Sequence, residues 1–222
     1  MASLQLYDQL LQFPLFQGMS RDDLAHVAGH TRFDFLKQAS QRVIVADGEP
    51  CSHLYFLLSG TLTAETVADD RGYTVVETLP APYILQPEAI FGYHQRYTHT
   101  FRSAGTVSMM RLERREVVQL SEQLMVFRIN LLNLFATQTQ KMGRRLWLQP
   151  PQSLAERIVR FLASHCVQLS GPKTFHILMT RLAAEVGDSR LDVSRALNQL
   201  QADGLLTLHR GRIEVAQMDR LL

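Results

Sequence analysis

Cysteine is scarce: the 222 residues hold two, Cys51 and Cys166, far apart in sequence. That excludes a disulfide scaffold, and also a zinc site or iron–sulfur cluster held by four cysteines. Long apolar runs are missing. No uninterrupted stretch of about 18 apolar residues occurs, so no transmembrane helix and no membrane partner are expected. The opening MASLQLYDQL lacks the basic start and apolar run of a signal peptide, and a cytoplasmic location is expected. Neither sign of charge dominates. The formal net charge is +2, which names no partner by itself. A glycine-rich phosphate loop, a metal-ligand cluster of useful spacing and a nucleophile motif are also lacking. An enzyme is therefore not expected, and no catalytic or metal-ligating residue is assigned.

What the chain does have is 46% hydrophobic residues, ordinary for a folded protein, and length enough for one large or two modest domains. Ser20-Arg21-Asp22-Asp23 reads as a capping box ahead of Leu24, Val27 and Ala28, and predicts a short helix. From about Phe33 to Leu112 the pattern turns to short runs rich in β-branched and aromatic residues. These are Arg42–Val45, Leu54–Leu58, Leu62–Val67, Tyr73–Leu79, Ile84–Leu85, Thr98–Phe101 and Val107–Leu112. Asp47-Gly48, Ser59-Gly60, the run 69–72 and Pro80-Ala81-Pro82 punctuate them, which suggests antiparallel hairpins in a barrel or jelly roll.

A single long helix is expected from about Arg114 to Leu148. Leu124, Leu131 and Gln138 recur at seven, with Phe127 and Leu134 between them. A second apolar row runs through Met125, Ile129, Leu132, Phe135, Met142 and Leu146. A helix apolar on two sides needs cover on two sides, and a twin copy supplies it most simply. The row from Leu124 to Gln138 is the expected dimerisation face. Pro150-Pro151 stops this helix, and Ser153 to Glu156 cap the next.

The last seventy or so residues read as a compact second domain. Thr180 is a candidate cap for a short helix ending at Val186, and Gly187 fits a left-handed exit. Ser189 then caps a helix that buries Val193, Ala196, Leu197 and Leu200. Its other side shows Arg190, Leu191, Ser194, Arg195 and Asn198. Two short helices about a tight glycine turn form a helix-turn-helix, whose second helix can enter a major groove. Leu205–Leu208 and Arg212–Val215, joined through His209-Arg210-Gly211, would make a wing. Charge does not separate this reading from an ordinary helical subdomain, since residues 151–222 carry nine basic against seven acidic side chains. Placement favours DNA, because arginines can pair with guanine through two hydrogen bonds.

Two stretches give the order of parts a family likeness. Residues 47–60, from Asp47-Gly48-Glu49 to Ser59-Gly60, look like a glycine-bounded β-roll hairpin, and residues 186–197 look like a recognition motif. On these the chain resembles the CRP/FNR family of bacterial transcription regulators over nearly its whole length. The resemblance implies an α+β fold. An N-terminal cyclic-nucleotide-binding-like β-roll would cover residues 1–113, a long dimerisation helix 114–149, and a C-terminal winged helix-turn-helix 150–222. It implies a homodimer on double-stranded DNA with dyad-related half-sites, and RNA polymerase as a candidate partner. Arg190 and Arg195 match base-contacting arginines, and Ser189 a phosphate contact. Leu191 stands where the family usually has a glutamate reading cytosine. It offers only an apolar surface, for example to a thymine methyl. Ser194 is a candidate surface contact, while His209, Arg210 and Arg212 are candidates for backbone phosphates. A ligand-binding module acting on a protein partner is the competing reading.

The resemblance also bears on the effector. Family members that bind cyclic AMP join a Gly-Glu pair to an Arg-Ser pair, and the matching positions here are Gln86, Pro87, Tyr97 and Thr98. None keeps the family residue. Glu88 and Arg96 lie one place away, where a slip of one turns a strand side chain to the other face. Cyclic AMP in the usual mode is not expected, and Gln86, Glu88, Arg96, Tyr97 and Thr98 are left as candidate lining for an unknown small-molecule effector. Tyr93, His94 and His99 extend that cluster. Haem is a weaker candidate, with His53, His94 and His99 as ligands in type.

Overall fold

A computed structural model describes the backbone of all residues except Met1, Leu146 and Leu148, and side chains outside these and residues 2–5 and 145. The helices are α1 Ala2–Leu10, α2 Arg21–His30, α3 Arg114–Gln123, α4 Met125–Arg145, α5 Leu154–Ser164, α6 Met179–Val186 and α7 Arg190–Ala202. The strands are β1 Asp34–Gln38, β2 Val43–Val45, β3 His53–Ser59, β4 Thr61–Val67, β5 Tyr73–Pro80, β6 Tyr83–Leu85, β7 Thr100–Ser103, β8 Val107–Glu113, β9 Lys173–Ile177, β10 Thr207–His209 and β11 Arg212–Val215. They divide into two compact units. One comprises Met1–Thr61, Pro80–Tyr97 and Ser103–Leu148, and the other Leu62–Leu79, Thr98–Arg102 and Gln149–Leu222. No helix among the described residues is long and apolar enough to cross a membrane.

The first unit is built on a sheet of order β1-β8-β3-β6. β3 carries a near-continuous apolar run because it is covered on both faces. Leu54, Phe56 and Leu57 are fully buried. The Phe56 ring meets Phe13 edge-on at 5.0 Å, and Phe16 bridges Phe56 and Phe127 at 5.8 and 5.6 Å. Gly60 closes the hairpin after β3 at φ +92, where an added Cβ would sit 2.7 Å from the Thr106 carbonyl, so only glycine fits. Ser20 caps α2 in a full capping box with Asp23, as its spacing predicts.

The expected single long helix is two helices. Leu124 leaves helical geometry at φ −119, ψ 107, ending α3 before α4 begins. Within that last turn the Ser121 hydroxyl donates to the Val117 carbonyl at 2.7 Å, a local bond that competes with the helix ladder and favours a bend. The break separates two buried pairs, Val117 and Leu120 on α3 and Phe127 and Leu131 on α4. Leu146 and Leu148, in the expected last turn, lie outside the described residues.

In the second unit β10, β11, β9, β5, β4 and β7 lie side by side in that order. β11 pairs antiparallel with β9 from Arg212↔His176 to Val215↔Lys173, and β9 pairs with β5 from Tyr73↔Ile177 to Glu77↔Lys173. Strands β1 and β9 were not among the expected runs. β1 reads Asp-Phe-Leu-Lys-Gln, with exposed Phe35 reversing the usual alternation, and β9 is masked by Lys173 and His176 in a five-residue run. One core joins Val75 of β5, Ile158 and Leu162 of α5, Leu182 of α6 and Val193 and Leu197 of α7.

Candidate nucleic-acid interface

The helix-turn-helix assembles from local signals. α6 begins two residues earlier than expected. Its N-cap is Leu178, with no side-chain cap bond, so Thr180 sits inside the helix and not at its cap. It ends at Gly187, in the left-handed region at φ +66, and the Asp188 amide reaches back to the Ala183 carbonyl at 3.0 Å. Arg157 of α5 then takes the helix's open end. Its guanidinium donates to the carbonyls of Val186 at 2.9 Å and Gly187 at 3.3 Å, and pairs with the Asp188 carboxylate at 2.5 Å. Ser189 starts α7. Its hydroxyl accepts from the Asp192 amide at 3.1 Å and donates to the Asp192 carboxylate at 2.6 Å. The Ser189 amide donates to Asp188 at 2.7 Å, where a full capping box would send it to Asp192.

The 3.6-residue period then sorts α7 into two faces. Val193 and Leu197 are fully buried, and Leu200 nearly so. Arg190, Leu191, Arg195 and Asn198 are exposed, and Ser194 is half-buried beside them. Leu191 is 60% exposed, so its apolar side chain stands open on the same face as the arginines. Arg195 pairs with Asp192 one turn back at 3.2 Å, which holds the guanidinium at the helix surface. The wing is β10 and β11 with Arg210 exposed at its tip. Arg212 and His209 both reach Glu214, at 3.1 and 3.3 Å. Ser189, Arg190, Leu191, Ser194 and Arg195 thus share one helix, while Arg210 and Arg212 lie on the wing.

The segment around residues 86–98 is arranged differently. Gln86 is buried at φ +32 and caps a short 3-10 turn, Pro87–Ile90, while Glu88 on that turn is exposed. Residues 95–97 pair with 48–51: the Gly48 amide donates to the Tyr97 carbonyl, the Tyr97 amide to Glu49, and the Cys51 amide to Gln95. This turns Tyr97 inward. Its ring is 2% exposed, its hydroxyl donates to the His53 carbonyl at 2.8 Å, and burial pushes its ionisation far upward. Arg96 turns outward and donates to the Gly48 carbonyl at 2.6 Å. Thr98 is exposed. The aromatic cluster expected here is not gathered: Tyr93 is 94% exposed and stacks edge-on against His94, opposite in exposure to Tyr97. Two of the three histidines weighed for haem have local hydrogen-bond partners, Ser52 for His53 and Thr66 for His99. Among the described residues no group of three or more metal-ligating side chains converges. The dimerisation row also divides. Phe127 and Leu131 are buried within the subunit, and Leu124, Leu134 and Gln138 are half-buried.

Residues 37–123 match the family model described as a cyclic nucleotide-binding domain, and residues 156–222 match the Crp-like helix-turn-helix domain. Among solved structures, the catabolite activator protein of Thermus thermophilus is 22% identical with a TM-score of 0.54, over 94% of this chain and 96% of that one. The sensor domain of the transcriptional regulator DNR from Pseudomonas aeruginosa is 16% identical with a TM-score of 0.55, over 68% of this chain and 98% of that one. The N-terminal domain of a Streptomyces coelicolor transcriptional regulator is 17% identical with a TM-score of 0.52, over 66% of this chain and all of that one. At these identities the likeness is one of fold. No curated protein matches the sequence.

A cyclic-nucleotide-binding β domain followed by helices and a winged helix-turn-helix defines a class, the transcription regulators that join a sensor domain to a DNA-reading head. Within that class the chain belongs to the CRP/FNR family.

Proposed function

We propose that the chain acts as a homodimer that binds double-stranded DNA in a sequence-specific way and regulates transcription in the cytoplasm. The observation that carries this reading is the sorted surface of α7: Arg190, Leu191 and Arg195 exposed on one face, with Val193 and Leu197 locked into the core on the other. Arg190 and Arg195 would read base edges, Leu191 would supply an apolar contact, and Ser189 with the wing residues Arg210 and Arg212 would hold phosphates. Functionally, residues 1–113 sense, 114–149 pair and 150–222 read DNA.

The pairing surface we favour is the second apolar row of α4, since Phe127 and Leu131 are already covered. Met125, Ile129 and Leu132 are 61%, 46% and 57% exposed, beside a groove lined by Phe91, Val118 and Phe135. An effector is expected to differ from cyclic AMP held in the usual mode, because Tyr97 fills its position with a core side chain and Arg96 already serves Gly48. Selection of bound sequences from random DNA, with and without cell extract, tests the reading. The expected result is a motif of two dyad-related half-sites with centres about 34–36 Å apart. No enrichment in either arm, or a monomer at micromolar concentration in sedimentation, would overturn it.

A further inference from the structure

The DNA-reading unit contains a strand pair from far upstream in the chain, residues 62–79. β5 adds to the edge of β9 over five residue pairs, and Val75 sits 2% exposed in the same core as Val193 and Leu197 of α7. The end of this seam holds a buried ion pair. Glu77 is 0% and Lys173 1% exposed, with carboxylate and ammonium 3.3 Å apart. Glu77 also accepts the amides of Val167 and Gln168 at 2.6 and 3.3 Å, and Lys173 donates to the carbonyls of Ser170 and Gly171 at 2.6 and 3.1 Å. The Glu77 carboxylate thus ties the connection from α5 to β9 at Val167 and Gln168 and, through Lys173, at Ser170 and Gly171. At the other end of the hairpin, Asp70 pairs with Arg181 of α6 at 2.7 Å, and Arg181 also pairs with Glu185 at 2.5 Å. Between them, Tyr73 shares a hydrogen bond with His165 of α5 at 2.8 Å.

We propose that the hairpin 62–79 is a positioning element of the helix-turn-helix, in which Glu77 sets the α5–β9 connection and Asp70 sets α6, so that both act on DNA reading through α7 without touching DNA. This rests on the DNA-binding reading above. A buried carboxylate facing a buried ammonium cannot be neutralised alone without stranding the other charge. Asp70, by contrast, is half exposed and lies outside the buried core cluster.

The test uses the full chain and the fragment recovered by selection, with affinity measured by fluorescence anisotropy. Wild type must first prefer that fragment to scrambled competitor. If it does not, the DNA-binding reading fails and the positioning of α7 is not what has been measured. Given that preference, Glu77→Gln should weaken specific binding about tenfold or more at a temperature where circular dichroism shows it folded, with the salt slope unchanged, because no phosphate contact is removed. Asp70→Asn should weaken it about twofold to fivefold at unchanged melting temperature, and Asp70→Glu should restore it, since its carboxylate can still meet Arg181. A folded Glu77→Gln that binds like wild type overturns the role of Glu77. If that variant does not fold, Asp70→Asn decides alone: wild-type affinity overturns the proposal.

Discussion

Residues 186–197 and residues 86–98 are both short segments dense in polar and aromatic side chains, and their exposure is reversed. On α7 the charged residues Arg190 and Arg195 face outward, over a floor of Val193 and Leu197. In the other segment Gln86 and Tyr97 are inside, and Arg96 is committed to a neighbouring carbonyl. A helix that reads DNA needs a buried face to hold it and an exposed face to work with, and one period supplies both. A pocket for a small ligand needs polar groups that point inward yet remain unsatisfied by protein. Here the inward positions are filled by an aromatic ring whose hydroxyl already has its acceptor.

The same contrast between covered and open faces occurs along α4, and there it predicts the largest effect. Phe127 is fully buried against Phe16, so Phe127→Ala should cost about 3–5 kcal/mol of stability in denaturant unfolding. Leu132 is 57% exposed, and Leu132→Ala should change unfolding of the dissociated subunit by less than about 0.5 kcal/mol. It should raise the dimer dissociation constant measured by sedimentation. If instead Phe127→Ala leaves stability unchanged and weakens only self-association, the assignment of the two rows must be exchanged.

Next in size are the arginines. Arg190→Ala and Arg195→Ala should each weaken specific binding by about 1–3 kcal/mol and reduce the preference over competitor DNA, with dimerisation intact. Arg96→Ala, the same chemical change in the contrasting segment, should leave operator affinity within about twofold. An unchanged affinity in both α7 variants would show that this helix is not the reading helix. A uniform loss on specific and random DNA, with the salt slope reduced by about one, would move them from base readers to phosphate contacts.

The fold was legible where a local rule acts alone. The capping serines 20, 153 and 189, the left-handed Gly187 and nine of the eleven described strands follow from spacing and turn chemistry. What stayed hidden depends on partners distant in sequence. Lys173 and His176 make β9 look like a loop, because Lys173 is an acceptable interior residue only once Glu77 is known to face it. The break at Leu124 contains neither proline nor glycine; the one local feature that favours it is the Ser121 hydroxyl bonding within its own helix, which a sequence pattern does not show. For the candidate interface, the exposed side of α7 was readable from the helical period. Which apolar row of α4 its own subunit covers was not, since a helix with two such rows carries no sign of it. The burial of Tyr97 was hidden for a related reason: its backbone pairs with residues 48–49, which no local pattern announces.

The smallest expected effect concerns the floor of the 86–98 segment, where His53 lends its carbonyl to Tyr97. Burial, and then the nearby Arg111 guanidinium, push the His53 imidazole below its ordinary 6.5, while Glu113 and Asp34 oppose them. The folded state therefore prefers the neutral ring. Its stabilising contribution is complete above the unfolded value of 6.5 and is lost as pH falls from there through the lower folded value. Since the chain has eight histidines, the effect is read as a difference. In denaturant unfolding, wild type minus His53→Gln should be level above about pH 7.5 and decline toward pH 5, as protonation penalises only the chain that has the imidazole. Parallel stability profiles across that range would mean that the ring is as well hydrated folded as unfolded, and the closed character assigned to this part of the first unit would have to be given up.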